Sequence, residues 1–358
     1  MKRSTRRALG VFVAGAATIV VIILVISLAF RPKDGTGTGK PSDGDGNTST
    51  PGRGQIIEEP NRPPTTFPTT AATGPASALS RAEAVAAYNH GRALLKQAET
   101  TSRATLANRL HLEARSELSR SFFSGQLTGA EQAQAIKDLS GLFKATVLAR
   151  QVIEGDPYAL PYVVQPGETV EGKNGIEQKF KLHVPARLIL RVNGLTRGED
   201  LRPGRTIKLV KGPFHAIVDK SDFTMDMYLH REGLEPIFVK RVNVGLGMNS
   251  STPVGSWRVA LGQKMERPPW DPPPGSGLKR RILWGEPGYA FGIKGLWIGL
   301  EGTDAQTGAV MDFGIHSTND PNSIGRANSL GCVRMADDDI DLVFALLYDV
   351  HSTVIVRP

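Results

Sequence analysis

The chain has 358 residues, of which 40% are hydrophobic, and its formal net charge is +8. This length suits about two or three domains, and the hydrophobic content is too high for a wholly disordered chain. The single cysteine, Cys332, excludes an internal disulfide framework, a multi-cysteine zinc site and a cysteine-ligated iron–sulfur cluster. The positive charge favours an anionic partner such as nucleic acid, membrane or cell wall.

The N-terminal segment, residues 1–30, predicts a transmembrane helix. Four basic residues among the first seven precede 23 uncharged residues, Ala8–Phe30. About 20 apolar residues span a bilayer, and flanking basic residues stay on the cytoplasmic side. We therefore expect the remainder of the chain to lie outside the cytoplasm. A cleaved signal peptide is the alternative, and it exports the body equally.

Two segments of different composition follow the anchor. Residues 31–79 are rich in Pro, Gly and Thr, which predicts a disordered linker. Residues 80–156 are expected to be helical, because proline is absent from residues 80–150 and Ser80 followed by Glu83 is a capping-box pattern. We expect further helices over 102–123 and 128–153. The helical segment is interpreted as a spacer or oligomerisation unit, with a peptide-binding groove as the alternative.

Residues 161–211 predict a small β-α-α-β unit. Tyr162–Val170 is typical of a strand and a turn, helical stretches follow near 175–181 and 185–193, and Leu201–Leu209 returns as a strand. The opening tyrosine, the turn and the Pro203-Gly204 pair resemble a LysM module. That resemblance implies binding to N-acetylglucosamine-containing glycans, with a structural spacer as the alternative. We place the glycan groove on two turns, at the residues Gly167, Glu168, Thr169 and Asn193.

Residues 212–358 predict a mostly-β domain, a sandwich or barrel with one or two helices. Period-2 alternation indicates strands at 215–219, 224–229, 237–244 and 257–261. Near the C-terminus we expect a helix over Asp338–Tyr348, capped by Asp337, and a last strand at Val354–Val356. The chain is therefore expected to be a multidomain protein.

A histidine and the cysteine stand out in this last segment. His316 lies 16 residues before Cys332, and turn-forming residues separate them. A neighbouring imidazole promotes the thiolate, which is the nucleophilic form of cysteine. Gly331 leaves room for a carbonyl substrate, and the flanking amides suit an oxyanion. The pattern by itself equally allows a buried structural cysteine and a turn histidine.

The stretch from His316 through Ser329-Leu330-Gly331-Cys332-Val333-Arg334 resembles the signature of the L,D-transpeptidase (YkuD-type) catalytic domain. Thr252-Pro253-Val254-Gly255 and the stretch 295–300 also match that family. Leu330 stands where the signature has a histidine, which leaves His316 as the sole candidate base.

The resemblance implies a cysteine acyltransferase without cofactor or metal. It would form a thioester on a peptidoglycan stem peptide, release the terminal D-alanine and make 3→3 cross-links. The implied catalytic residues are the nucleophile Cys332, the general base and acid His316, the Ser317 carbonyl that orients His316, and the Gly331 oxyanion amide. The expected substrate-binding residues are Ser329, Arg334, Trp297 and Trp284. Hydrolysis of the same stems, or a non-catalytic wall-binding tether, stays open as an alternative.

These expectations set the partners. We expect peptidoglycan stem peptides and glycan strands, and the membrane through the N-terminal helix. Nucleic acid is not expected, because the catalytic segment 212–358 carries 14 basic and 17 acidic side chains. The expected location is a bacterial cell envelope, with the inner (cytoplasmic) membrane holding the anchor and the body facing the periplasm or wall.

Overall fold

The computed structural model describes residues 75, 77–272, 278 and 280–358. The predicted anchor, residues 1–30, and nearly all of the predicted linker, residues 31–79, lie outside the described residues. Within the described ranges, no helix is long and apolar enough to cross a bilayer. The anchor therefore stays a prediction from the sequence.

Three helices open the body: α1 (Arg81–Thr100), α2 (Ala104–Phe123) and α3 (Gly129–Phe143). The predicted capping box is present, because the Ser80 N–H donates to Glu83 Oε2 at 2.8 Å. A second capping box precedes α3 at Thr128. The predicted helix 102–123 begins at Ala104, and the predicted helix 128–153 ends at Phe143.

A buried lysine explains the early end of α3. After Phe143 the chain makes one π turn, Lys144–Leu148, and then leaves the helix. The Nζ of Lys208 donates to the carbonyl oxygens of Thr146, Ala149 and Gln151 at 2.5, 2.9 and 3.2 Å. An ammonium in this position satisfies carbonyls that have no partner at a helix end. The predicted continuation to residue 153 is therefore wrong.

The next unit has the predicted β-α-α-β order. It consists of β1 (Ala159–Val163), α4 (Ile176–Lys179), α5 (Ala186–Val192) and β2 (Thr206–Val210), and the two strands pair antiparallel. The strand predicted from Leu201 starts only at Thr206, because a turn intervenes in which Gly204 has a φ of +79°. Glycan binding by this unit stays a prediction.

From Phe214 onward, the described residues form one eight-stranded sheet and one two-stranded sheet. The strands are β3 (Phe214–Asp219), β4 (Thr224–Leu229), β5 (Ile237–Asn243), β6 (Leu246–Gly247), β7 (Gly255–Glu266), β8 (Leu296–Gly302), β9 (Phe313–Ser317), β10 (Ala327–Ser329), β11 (Val333–Met335) and β12 (Thr353–Arg357). The large sheet has the order β11-β9-β8-β7-β12-β3-β4-β5, and β6 pairs parallel with β10. In the large sheet, β11 runs parallel to β9 and β12 parallel to β3, whereas the other neighbours are antiparallel.

The two edges of the large sheet meet next to β6. Gly245, which follows β5, donates to the Arg334 carbonyl of β11 at 2.9 Å and accepts the Arg334 N–H at 2.8 Å. A Cβ on Gly245 would lie 2.4 Å from the Ser323 carbonyl oxygen, so this approach requires glycine. The predicted mostly-β fold is confirmed, and the sheet is rolled so that β11 returns to the end of β5.

One helix follows β11. α6 spans Asp337–Leu346, and its N-cap is Ala336, so the predicted capping role of Asp337 is wrong. The helix ends before the predicted Tyr348, where Lys264 Nζ donates to the carbonyls of Phe344 and Leu347 at 2.8 and 2.6 Å. The predicted last strand lies within β12.

The helical segment packs on the edge strand β5. The rings of Phe122 and Phe238 are 4.5 Å apart, and the Phe238 N–H donates to Ser119 Oγ at 3.1 Å. An exposed edge strand invites pairing with another chain, and this contact covers it. The helices therefore belong to the folded body, which argues against a detached spacer.

Candidate active site

Cys332 lies in the short loop between β10 and β11, and two buried hydroxyls hold that loop. Ser329 Oγ donates to the Cys332 carbonyl at 2.8 Å and accepts the Gly331 N–H at 3.1 Å. Thr252 Oγ1 donates to the Gly331 carbonyl at 2.8 Å and accepts the Gly247 N–H at 2.7 Å. These four hydrogen bonds fix the backbone that carries the thiol.

His316 lies on β9 and is buried, with 5% of its surface exposed. Its Nδ1 is 2.7 Å from the carbonyl oxygen of Ser317. A carbonyl oxygen only accepts, so Nδ1 carries the proton and the lone pair is on Nε2. This is the tautomer that a general base requires.

Strand register brings the cysteine to the histidine. β11 and β9 are parallel neighbours, with Arg334 opposite His316. Residues two apart along a strand share a face, so Cys332 is placed on the face of His316, one step earlier in the register. Independently, the Cys332 thiol lies 3.7 Å from the carbonyl oxygen of Asp312, the residue before β9. The thiol and the imidazole are therefore diagonal neighbours.

The electrostatics of the pair favour the uncharged forms. Burial, assisted by the charge of Arg334, lowers the pKa of His316 to about 4, against the hydrogen bond to Ser317. Burial also raises the pKa of the Cys332 thiol, although the Gly314 backbone and Arg334 act in the opposite direction. At neutral pH the resting state is a thiol beside a neutral imidazole. Proton transfer must therefore accompany nucleophilic attack.

Aromatic rings enclose the imidazole. The ring of Phe291 lies 4.9 Å from that of His316, and Trp297, opposite His316 across β8 and β9, stacks at 5.8 Å and 23°. The Phe291 carbonyl also accepts a hydrogen bond from Ser317 Oγ. These rings exclude water, which is the burial that lowers the pKa of His316.

Phe291 belongs to the long insertion between β7 and β8, residues 267–295. The insertion is held by paired backbone hydrogen bonds between Trp270 and Ile282, both 2.9 Å. Its Tyr289 carbonyl accepts from Asn319 Nδ2 at 3.0 Å, which ties it to the loop after β9. Residues 273–277 and 279 of the insertion lie outside the described residues. The described part forms one wall of the site.

Trp284 does not join Trp297 at the histidine. It is 42% exposed, its Nε1 donates to the Ile293 carbonyl at 2.9 Å, and the guanidinium of Arg267 lies 3.9 Å from its ring centre. Within the described residues, no recorded contact joins Trp284 to the thiol or the imidazole. The structure therefore brings one of the two predicted tryptophans to the site.

Arg334 flanks the thiol without an acidic partner. Its side chain is half-buried, and among the described residues its guanidinium makes no salt bridge. A guanidinium with no partner beside a nucleophile is suited to an incoming carboxylate.

The predicted oxyanion donor needs a correction. The Gly331 N–H already donates to Ser329 Oγ, so that amide is occupied within the loop. The Cys332 N–H has no recorded acceptor among residues 75, 77–272, 278 and 280–358. It is the amide next to the thiol that is left for a developing oxyanion. Ser329 itself holds the loop through both of its hydrogen bonds.

Two residues of the site were not singled out from the sequence. Thr252 was read only as part of a turn that matches the family, although it contacts the nucleophile loop 79 positions away. Phe291 carried no signal, because its contact with His316 arises only when the insertion folds over β9. Both are long-range contacts that local pattern does not encode.

Three of the predicted glycan-binding residues lie on one turn. Gly167 has a φ of +80°, as a tight turn requires. The Glu168 carboxylate accepts from Tyr162 Oη at 2.7 Å and pairs with Lys179 Nζ at 2.7 Å. Thr169 Oγ1 donates to a backbone carbonyl within the turn at 2.7 Å. The Glu168 carboxylate is thus engaged within the unit and acts first as a fold contact.

The fourth glycan candidate, Asn193, was expected on a glycan-binding turn, and this prediction is wrong. It is fully buried, its Nδ2 donates to the carbonyls of Ile189 and Lys208, and its Oδ1 accepts the Lys208 N–H. These hydrogen bonds tie α5 to β2 and use the whole side-chain amide. Asn193 therefore cannot face a glycan groove.

A metal centre finds no support among the described residues. They contain no group of three or more His, Cys, Asp or Glu side chains placed to hold an ion.

Comparison with known proteins gives one consistent result. Residues 213–356 match the family model of the YkuD L,D-transpeptidase catalytic domain. The chain is 28% identical over 189 residues to the putative L,D-transpeptidase YkuD of Bacillus licheniformis, which covers 51% of this chain and 89% of that protein. It is 26% identical over 188 residues to the putative L,D-transpeptidase YkuD of Bacillus subtilis, with the same coverage.

Among solved structures, an L,D-transpeptidase from Mycobacterium smegmatis aligns with a TM-score of 0.31 and 13% identity. The alignment covers 43% of this chain and 64% of that one. A TM-score of this size does not establish a common fold.

Proposed function

We propose that this protein, whose residues 213–356 match the family model of the YkuD L,D-transpeptidase catalytic domain, cross-links peptidoglycan stem peptides through a thioester on Cys332. The observation that carries the proposal is the tautomer of His316. Its Nδ1–H is held by the Ser317 carbonyl at 2.7 Å, which leaves Nε2 as a base on the strand beside the thiol. A histidine with a purely structural role has no need of this arrangement next to a cysteine.

The first half-reaction forms the thioester. His316 Nε2 takes the Sγ proton as the sulfur attacks the carbonyl carbon of the third residue of a tetrapeptide stem. The tetrahedral intermediate collapses with cleavage of the peptide C–N bond. His316 returns its proton to the departing amine, and D-alanine leaves. A neutral imidazole in the resting state supports this order of steps. Neutral His316 first accepts the thiol proton, and protonated His316 then donates it to the departing amine.

The second half-reaction transfers the acyl group. The side-chain amine of a diamino acid on another stem attacks the thioester carbon, and His316 accepts the proton that this amine loses. The C–S bond breaks, the thiolate leaving group takes a proton back, and a 3→3 cross-link remains. If water attacks instead, the product is a tripeptide and the enzyme acts as a carboxypeptidase.

Three groups support substrate placement in this proposal. The Cys332 N–H is the oxyanion donor, in place of the Gly331 amide. Arg334, without an acidic partner in the described residues, binds a stem carboxylate by charge-assisted hydrogen bonds. Trp297 packs against the imidazole and presents an apolar wall to the stem.

The proposed setting is the bacterial envelope. The sequence of residues 1–30 supports an anchor in the inner (cytoplasmic) membrane, and residues 31–79 support a linker that lets the body reach the wall. The LysM-like unit, residues 161–211, is proposed to bind glycan strands. The turn at Gly167–Thr169 is the remaining candidate surface, because Asn193 is buried.

The test is product analysis on defined substrate. The full-length protein and a Cys332→Ala variant are incubated with disaccharide-tetrapeptides, and the products are read by mass spectrometry. A His316→Gln variant serves as a second control, since it keeps a polar side chain and removes the base. We expect dimers and free D-alanine from the wild-type protein alone.

The other outcomes separate the alternatives. Tripeptides without dimers would identify a hydrolase with the same catalytic pair. No reaction by wild-type protein would favour a non-catalytic wall-binding tether. Dimers formed equally by the Cys332→Ala variant would refute the thioester mechanism.

A further inference from the structure

Thr252 is a buried hydroxyl that joins the nucleophile loop to β6. It has no exposed surface, and its Oγ1 uses one donor and one acceptor position, toward the Gly331 carbonyl and from the Gly247 N–H. Its own carbonyl accepts from Lys220 Nζ at 2.7 Å, which anchors the turn that carries it. The hydroxyl is thus fixed from both sides.

We propose that Thr252 is a positioning residue that sets the direction of the Cys332 N–H, and thereby the oxyanion donor of the acylation step. This inference rests on the proposed function, because it concerns the oxyanion that forms at Cys332. It goes beyond that function because it assigns a role to a side chain that does not contact the thiol.

Peptide geometry links the Thr252 hydroxyl to the Cys332 N–H. Gly331 and Cys332 share one trans peptide unit, in which the C=O and the N–H point in opposite directions. Thr252 holds the C=O of that unit at 2.8 Å. The N–H of Cys332 is therefore directed away from Thr252, and it turns only if the carbonyl turns with it.

Flexibility at Gly331 makes this restraint necessary. Gly331 has a φ of +148°, a conformation that residues with a side chain rarely adopt. Glycine in such a position rotates with little steric penalty, so the peptide unit needs an external restraint. Ser329 holds the Gly331 N–H and the Cys332 carbonyl, which belong to the two neighbouring peptide units. Among the residues that the structure describes, Thr252 is the one side chain that holds the unit containing the candidate oxyanion amide.

Close packing adds to the restraint. A Cβ on Gly247 would lie 2.9 Å from the Gly331 Cα, so the two backbones touch at this point. The Thr252 hydroxyl lies in the same contact, bonded to both backbones. Loss of this hydroxyl would leave the Gly247 N–H and the Gly331 carbonyl without a hydrogen-bond partner. Both losses favour reorientation of the peptide unit between Gly331 and Cys332.

The experiment compares two reactions of the same thiol in the full-length protein. Acylation by p-nitrophenyl acetate forms a thioester, releases p-nitrophenol and passes through a tetrahedral oxyanion. Alkylation by iodoacetamide forms a C–S bond, releases iodide and develops no oxyanion. The variants are Thr252→Val, which removes the hydroxyl, and Thr252→Ser, which keeps it.

Thr307→Val is the matched control. Thr307 is equally buried, and its Oγ1 donates to the Ser256 carbonyl at 2.9 Å and accepts the Asp304 N–H at 3.2 Å. Like Thr252, it bonds one backbone carbonyl and one backbone N–H, and it also contacts the Asp304 carboxylate at 2.8 Å, without contact to the nucleophile loop. Thermal unfolding of all variants shows whether the losses of stability are comparable.

We expect Thr252→Val to slow acylation about 10- to 100-fold, because a misdirected oxyanion donor costs part of what a deleted one costs. Alkylation should stay within about twofold of wild type, since Thr252 does not alter the thiol itself. Thr252→Ser should restore acylation, and Thr307→Val should leave both rates unchanged.

The inference is overturned if Thr252→Val acylates at the wild-type rate, or if both reactions slow by the same factor. It also fails if Thr307→Val lowers the ratio of the two rates equally, or if wild-type Cys332 is alkylated but never acylated. The proposed function fails separately: the wild-type protein would show the Thr252-dependent acylation by p-nitrophenyl acetate and leave tetrapeptides untouched.

Discussion

Removal of the Ser329 hydroxyl is the perturbation whose size the structure defines best. Ser329 is 1% exposed, and its Oγ makes two hydrogen bonds to the loop that holds Cys332. In Ser329→Ala both backbone partners lose their hydrogen bond and no other side chain replaces it. Each unsatisfied group costs about 1–3 kcal/mol, and the lower end applies because Gly331 and Cys332 are only half-buried.

The expected total is about 2 kcal/mol, which is lost from the free energy of unfolding. The same loop must be ordered in the acylation transition state, so kcat/KM for D-alanine release should fall about 30-fold. Steady-state kinetics on disaccharide-tetrapeptides measures the second quantity, and urea unfolding measures the first.

Ser352→Ala is the control for this prediction. Ser352 is also fully buried, and its Oγ accepts the Tyr348 N–H at 2.7 Å. It follows α6 in the chain, whereas the nucleophile loop precedes α6. It should lower stability and leave kcat/KM within about twofold. The reasoning is refuted if Ser329→Ala keeps wild-type kcat/KM, or if Ser352→Ala loses as much activity.

Three further predictions concern charge. The base must be neutral, and the pKa of His316 is lowered to about 4. We therefore expect kcat/KM to keep its neutral-pH value well below pH 6 and to halve near pH 4. An acid limb at about pH 6.5, or a pH profile without any acid limb, would contradict this. Arg334→Met should lower kcat/KM about 10- to 100-fold by loss of a charged contact. It should also move the acid limb to higher pH, because the guanidinium lowers the pKa of His316. An acid limb at an unchanged pH would contradict this effect of Arg334 on His316. Arg115→Met should lower the free energy of unfolding in urea by about 3–5 kcal/mol, because it leaves the buried carboxylate of Asp156 unpaired. The control Arg81→Met removes an exposed ion pair and should lower it by about 1 kcal/mol or less. Equal losses in the two variants would contradict the role of burial.

Sequence reasoning succeeded where the signal is local or carried by a specific signature. The capping box at Ser80 needs only a residue three positions later, and the structure contains it. Strand alternation in residues 212–358 is a local period, and the mostly-β fold is confirmed. The L,D-transpeptidase signature around Cys332 agrees with the family match over residues 213–356.

It failed where a distant partner decides the outcome. The end of α3 depends on Lys208, which reaches the Thr146 carbonyl from 62 positions away. Asn193 resembled a turn residue, yet its amide is satisfied by Lys208, 15 positions on. The same limit hid Thr252, whose hydroxyl matters only because folding brings Gly331 to it.

The Gly331 amide shows a subtler limit. A glycine before a nucleophilic cysteine suggested two flanking N–H donors, and the sequence carries no sign of which one is free. The structure answers this through Ser329, whose Oγ accepts the Gly331 N–H. Residue spacing does not encode this hydrogen bond within the loop, which leaves the Cys332 N–H as the candidate oxyanion donor.

The central claim is that Cys332 carries the acyl group, and the intact mass of an acid-quenched reaction tests it most directly. The full-length protein is mixed with disaccharide-tetrapeptide whose diamino-acid side-chain amine has been acetylated, so that no acceptor amine is present. The account predicts an adduct equal to the substrate minus D-alanine, located on Cys332, removed by hydroxylamine and absent from Cys332→Ala. Wild-type protein without an adduct, or an equal adduct on Cys332→Ala, would contradict it.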